Sequence, residues 1–299
     1  MPKAAANFPP TPGSAELAQQ IAETFQPHGP VDASIIIPVN AQGDLENVLK
    51  VCGDLCRYAG SCRLELILVV NNFDEATPPS EIDLFRAWGL RVEAIPSVRR
   101  PGEAVGFSAR IPGIRIARSP VCILFDADVR IPNATRLIDW YVRAFASGAK
   151  AAYTHVAHYD VEPGLSLRIS FAIHHLARWI KRRALGIPTT RGSNYAVDRE
   201  VMLELYDARM LADEMNVGPT FKRQGHLVAY NSARELYVYT SGRMFRPGWR
   251  KMIAYFWYRL RYNLRTLPVR RNVSQFTGRE SDPVRRYIDN RPIQNGNEK

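Results

Sequence analysis

Four short apolar runs punctuate the first half of the chain: SIIIPV at 34–39, LELILVV at 64–70, VEAI at 92–95 and VCILF at 121–125. A run this short with little polar alternation offers no face to water, so it reads as a strand buried on both sides. Between the runs, 44–57, 106–117 and 133–146 carry apolar residues at helical spacing, as in Leu45, Val48, Leu49, Cys52 and Leu55. Buried strands alternating with amphipathic helices predict an α/β fold, a mostly parallel sheet covered by helices on both faces. Pro112 is expected to kink or split the helix over 106–117.

The texture changes after residue 150. A strand is predicted over 151–159, a long basic amphipathic helix over 164–185, a loop over 186–193 and a short element over 198–206. Further strands are expected near 227–231 and 236–239, then an aromatic, arginine-rich helix within 249–267. The ends read as extensions: 1–32 disordered apart from a short helix near 14–25, and a polar tail over 272–299. No run approaches the ~18 apolar residues of a spanning helix, and the first residues lack the apolar stretch of a secretory leader. Cys52, Cys56, Cys62 and Cys122 are too few for a disulfide framework in 299 residues and read as reduced core positions. These features point to a cytoplasmic enzyme-sized protein.

The net charge of +11 is concentrated: from Arg243 onward there are 14 Lys and Arg against 4 Asp and Glu. Such an end favours phosphate, nucleic acid or an anionic membrane as partner, or simply solvation. The nearly neutral body argues against a protein built to grip nucleic acid. The segments 164–185 and 249–267 suit either an anionic membrane interface or packing over the sheet or at a homodimer contact.

Ligands of open parallel sheets bind outside the carboxyl ends of the strands. Those ends carry Pro38-Val39-Asn40, Asn71-Asn72-Phe73-Asp74 and Asp126-Ala127-Asp128. No glycine-rich dinucleotide fingerprint or P-loop is present. Two carboxylates one residue apart at a strand mouth suit a hard cation such as Mn²⁺ or Mg²⁺ shared with substrate phosphates. Arg99, Arg100 and Arg110, beside a predicted helix start, suit a pyrophosphate, and Arg243 and Arg246 could reach the same phosphates. The six histidines read as packed or surface residues.

In order, SIIIPVN, LILVVNNFDEAT, RRPGEAVGFSARIPGIRIA, ILFDADV, RGSNYAVDREVMLELY and LADEMNVGPTFKRQGHLVAY resemble the successive motifs of family-two glycosyltransferases with the GT-A fold. The resemblance covers about 33–243. It implies a nucleotide-sugar-binding half over 33–150 and an acceptor-binding half over 151–243; the basic helical extension expected over 244–271 lies beyond it. It implies transfer of a sugar from a nucleoside-diphosphate sugar, most simply a UDP-sugar, to a hydroxyl of a small-molecule, saccharide or lipid-linked acceptor, with inversion. By position, Pro38, Asn40, Asn71, Asn72, Arg100, Arg110, Asp126, Ala127, Asp128 and Arg243 fall on the donor side, with Asp126 and Asp128 as metal ligands. Gly192, Ser193 and Asn194 fall on the acceptor side. Asn71 stands where the family usually has an aspartate reading the base, and Ile111 where it usually has an asparagine. Asp213-Glu214 matches the acidic step supplying the general base, in reversed order; position favours Glu214, with Asp213 the alternative. A nucleotidyltransferase and a non-catalytic nucleic-acid-binding protein are the rival readings.

Overall fold

The computed structural model describes residues 12–25, 28–96, 103–160, 175–176, 178–184, 186–211, 213–241 and 257. Seven strands form one sheet in the order β3-β2-β1-β4-β8-β6-β9. They are β1 (Ala33–Asn40), β2 (Leu64–Asn71), β3 (Arg91–Ile95), β4 (Val121–Phe125), β6 (Ala151–Thr154), β8 (Asn194–Asp198) and β9 (Val228–Asn231). All run parallel except β8, which lies antiparallel to both β4 and β6. The sheet therefore continues unbroken across residue 150. A second sheet, β5-β10-β7, is built from β5 (Val129–Arg130), β7 (Val156–His158) and β10 (Val238–Thr240).

Every residue of β2 and β4 is buried, the burial that their apolar composition requires. Alternation within the runs assigns each side chain to one of two cores. Ile35, Ile37, Leu66 and Leu68 face α1 (Ser14–Thr24), α2 (Leu45–Leu55), α3 (Glu81–Ala87) and α5 (Ala134–Ala146). Ile36, Ile67 and Val69 face α4 (Val105–Ile116), α6 (Arg199–Asp207) and α7 (Glu214–Arg223). Pro38 is tolerated in central β1 because it lies past Ile36↔Leu124, where the pairing with β4 ends.

The structure departs from the sequence expectations at four places. Pro112 sits inside α4 without splitting it. This helix is held close to the sheet: a Cβ at Gly113 would lie 2.6 Å from Ile36 Cγ2 and 2.9 Å from Val69 Cγ2. The single strand expected over 151–159 is two, because Thr154 ends the pairing with β9 and Val156 begins a new one with β10. The short helix α3 is not announced by the sequence spacing. Residues 194–198, met in the sequence as part of a site motif, are the antiparallel strand β8. Of the long helix expected over 164–185, residues 175–176 and 178–183 are helical and, residue 184 apart, the rest lies outside the described residues. Residues 1–11 and, Trp257 apart, 242–299 lie outside them too, and with them the expectations for the basic extension and the tail. Among the described residues no helix is long and apolar enough to cross a membrane. The four cysteines are free, with Cys52 and Cys122 buried.

Candidate active site

The Asp126–Asp128 step is where the chain leaves the large sheet at Phe125 and enters the small one at Val129. This change of sheet frees both carboxylates from a regular ladder. Ala127 between them is buried in the core, and Asp126 keeps 35% of its side chain exposed. Asp128 Oδ1 accepts from Thr240 Oγ1 at 3.4 Å, and its carbonyl accepts from the Tyr159 hydroxyl at 3.4 Å.

Arg110, one turn into α4, ties these strand-end residues to α7. Its side chain is fully buried and its guanidinium donates to four groups from four segments. Nη1 reaches Glu214 Oε1 at 2.6 Å and the Gly106 carbonyl at 2.6 Å; Nη2 reaches Asp126 Oδ1 and the Gly192 carbonyl, the latter at 2.9 Å. Two carboxylates separated by 88 residues in sequence are thus held by one cation. Arg110 therefore presents no open face toward a phosphate. The buried Tyr195 ring lies 5.9 Å from its guanidinium carbon, and the Tyr195 hydroxyl has no hydrogen-bond partner among the described residues.

Glu214 opens α7 with 14% of its side chain exposed. Glycines line its pocket: a Cβ at Gly106 would come 3.2 Å from Glu214 Oε1, and one at Gly192 would touch the carboxyl carbon at 3.4 Å. Burial raises the Glu214 pKa to about 7; the Arg110 charge pulls it down and Asp213 pushes it further up. Its neighbour Asp213 is the N-cap of α7, its side chain accepting from Met215 N at 2.7 Å. Thr190, which no sequence motif marks, donates from Oγ1 to the Glu214 carbonyl at 2.7 Å and accepts from Gly218 N at 3.2 Å.

The remaining expected residues divide by position. Asn40 and Asn71 end β1 and β2 side by side, and Asn72 Nδ2 donates to Asn40 Oδ1 at 2.8 Å. Asn72 takes a left-handed φ of 64°, a conformation that asparagine accepts more readily than most residues. Asn71 is buried, its amide donating to the Val69 carbonyl at 3.2 Å. Gly192 and Ser193 are half-buried, Gly192 beside Glu214 and Arg110. Asn194 is fully buried: its amide accepts from Tyr141 and donates to Thr154, bracing β8 and presenting nothing to the cleft. Arg100 and Arg243 lie outside the described residues.

The chemistry of the donor set bears on a metal. No group of three or more His, Cys, Asp or Glu side chains among the described residues could enclose an ion. Asp126 and Asp128 offer instead one or two hard oxygens at a cleft mouth. This is the partial set a cation shared with a diphosphate requires.

No protein-family model matches this chain, and no curated protein does. Solved structures do. A mannosyltransferase from Pyrobaculum calidifontis, solved with GDP-Man and Mn²⁺, aligns with a TM-score of 0.50 at 15% identity, covering 83% of this chain and 70% of that one. Glucosyl-3-phosphoglycerate synthase from Mycobacterium tuberculosis, solved with Mn²⁺, UDP and phosphoglyceric acid, aligns at 0.48 and 17% identity, covering 87% and 84%. The fold is GT-A-like.

Proposed function

We propose that this chain is a GT-A nucleotide-sugar glycosyltransferase that transfers its sugar with inversion. The observation that carries this is Arg110 bonding both Glu214 and Asp126, so that a carboxylate of raised pKa and a metal-type carboxylate share one guanidinium. The GT-A-like fold supports it, since the mannosyltransferase that shares the fold was solved with a nucleotide sugar and Mn²⁺.

Glu214 is the general base. A carboxylate whose pKa is raised to about 7 is matched to taking a proton near neutral pH. Asp213 is less suited, because capping α7 occupies its side chain. Glu214 removes the proton of the acceptor hydroxyl as that oxygen bonds to the anomeric carbon. The bond from this carbon to the diphosphate breaks, and the electron pair leaves with the nucleoside diphosphate. Arg110 holds Glu214 and Asp126 in register, while Gly106 and Gly192 leave room against the base. Asp126 and Asp128 would hold Mn²⁺ or Mg²⁺, which when bound supplies positive charge to the departing diphosphate. Asn40, Asn71 and Asn72 line the nucleotide end. A UDP-sugar is the first donor to test, and because the Asn71 amide can donate as well as accept, the other nucleoside diphosphates belong in the same titration.

Calorimetric titration of nucleoside diphosphates, with and without Mn²⁺, tests the reading. UDP should bind in a Mn²⁺-dependent way, and Asp128→Ala should abolish that dependence while the protein stays folded. Undiminished Mn²⁺-dependent binding in the variant would remove Asp128 from the site. Release of pyrophosphate from a nucleoside triphosphate would favour a nucleotidyltransferase instead.

A further inference from the structure

Beside the cleft, a second set of charged groups has no part in the reaction above. His155, at the break between β6 and β7, stacks on His175 with ring centroids 5.1 Å apart, and its other neighbour is Tyr237 at 4.4 Å. Three arginines converge on this pair. Arg178 Nη2 donates to the Thr189 carbonyl at 2.8 Å, Arg182 Nη1 to Thr189 Oγ1 at 3.3 Å, and Arg191 Nη1 to the Val156 carbonyl at 3.4 Å. Arg182 also lies 4.2 Å over the Tyr230 ring. Burial lowers the pKa of His155 to about 3 and of His175 to about 4, and the charges of all three arginines push both in the same direction. A carboxylate, Asp160, stands at the margin, where it opposes the lowering at His158 and accepts from Ser241 Oγ at 2.6 Å.

The cluster is joined to the reacting groups by backbone. Arg191 sits between Thr190, which bonds the Glu214 carbonyl, and Gly192, whose carbonyl receives Arg110. On its other side, His158 pairs with Thr240, which bonds Asp128. The stretch that bonds Glu214 and receives Arg110 thus runs directly through Arg191 and from Thr189, to which Arg178 and Arg182 bond.

We propose that Arg178, Arg182 and Arg191, with His155 and His175, form a subsite for a phosphate or carboxylate group carried by the acceptor. Planar guanidinium groups recognise such oxyanions through paired hydrogen bonds. Within the transferase reading, on which the acceptor role rests, this makes the acceptor an anionic hydroxyl compound rather than a neutral saccharide.

The test is calorimetric titration of inorganic phosphate into the full chain, with UDP and Mn²⁺ saturating so that the donor phosphates' own site is filled. Phosphate should bind the unmodified protein. Arg182→Gln with Arg191→Gln should weaken binding roughly ten- to a hundredfold, the worth of one or two charge-assisted hydrogen bonds. These two side chains are partly exposed, so the variant avoids the buried Arg178. Circular dichroism should show it folded. Equal phosphate binding by a folded double variant overturns the subsite and leaves the transferase reading untouched. Failure of every nucleoside diphosphate to bind the unmodified protein with Mn²⁺ overturns that reading instead, and the subsite is then judged by the phosphate titration without nucleotide. The source of the anion is read by displacement of the bound phosphate. A soluble acceptor predicts displacement by glycerol 3-phosphate; a lipid acceptor predicts displacement by phosphatidylglycerol vesicles but not by phosphatidylcholine vesicles. Displacement by neither overturns the acceptor role.

Discussion

Two glutamates, Glu65 fully buried within the mostly parallel sheet and Glu214 half-buried at the start of α7, each pair with arginine, and their environments drive them in opposite directions. Glu65 in β2 accepts from Ser34 Oγ at 2.5 Å, from Arg118 N at 2.6 Å and Nε at 2.7 Å, and from Arg91 Nη1 at 3.0 Å. Burial alone would raise its pKa, but these hydrogen bonds outweigh it and hold the carboxyl below its ordinary value. Glu214 shares its one arginine with Asp126, has Asp213 as its neighbour, and is raised. A saturated carboxylate is a structural clamp. An undersupplied one keeps a raised pKa, the property that the proposed function asks of a base.

The sharpest way to break this comparison is to remove each carboxyl in turn. Glu214→Gln should cost ~10²–10⁴-fold in sugar transfer, measured as kcat with a UDP-sugar, with little loss of stability. Equal turnover by the variant would take the base away from this residue. Glu65→Ala should cost about 3–5 kcal/mol of stability, since it strands Arg91 and Arg118 around a buried gap. Urea unfolding reads this, and kcat of the folded fraction should change little.

Acid titration sharpens the contrast. Glu65 has a folded pKa below its unfolded one, so its stabilisation is present above about pH 4.5 and is lost as pH falls through the lowered value. Glu214 has the opposite sign. Between its ordinary value and about 7 the folded state binds a proton that the unfolded state does not, so stability falls as pH rises, by at most ~1.4 kcal/mol per pH unit. Over that range Glu214→Gln should flatten the pH dependence of unfolding. Under the proposed function, the rate of sugar transfer by the unmodified chain should rise through an acid limb near pH 7. Arg110→Lys, which gives up the two-pronged contact, should move that limb to higher pH. A limb that stays in place would mean that Arg110 does not tune the base. The smallest effect serves as a control: Arg115 and Asp207 pair at 2.5 Å on the exposed surface. Arg115→Ala should shift stability by under about 1 kcal/mol and leave the pH profile where it was.

Much of the scaffold is legible in the residues themselves. The runs at 34–39, 64–70 and 121–125 are strands because they are short and almost wholly apolar, and Asp126-Ala127-Asp128 follows one of them at its carboxyl end. The antiparallel β8 is not legible, because Asn194–Asp198 takes its partners from 121–125 and 151–153, and pairing direction leaves no local trace. The same holds for the division at His155, decided by which neighbouring sheet each half can bond.

The reversed Asp213-Glu214 order left the base ambiguous in sequence, since two adjacent carboxylates differ only in where their side chains point. In the tertiary structure, starting a helix turns Asp213 back onto Met215 N, while Glu214 meets Arg110, 104 residues earlier in the chain. Local patterning determined the strands, the helices and the edge at which chemistry would gather, because burial periodicity acts over a few residues. Which carboxylate is neutralised, which is left short of donors and which asparagine is spent on bracing were decided only by long-range packing. Desolvation and charge pairing depend on distance in space, and the sequence does not record it.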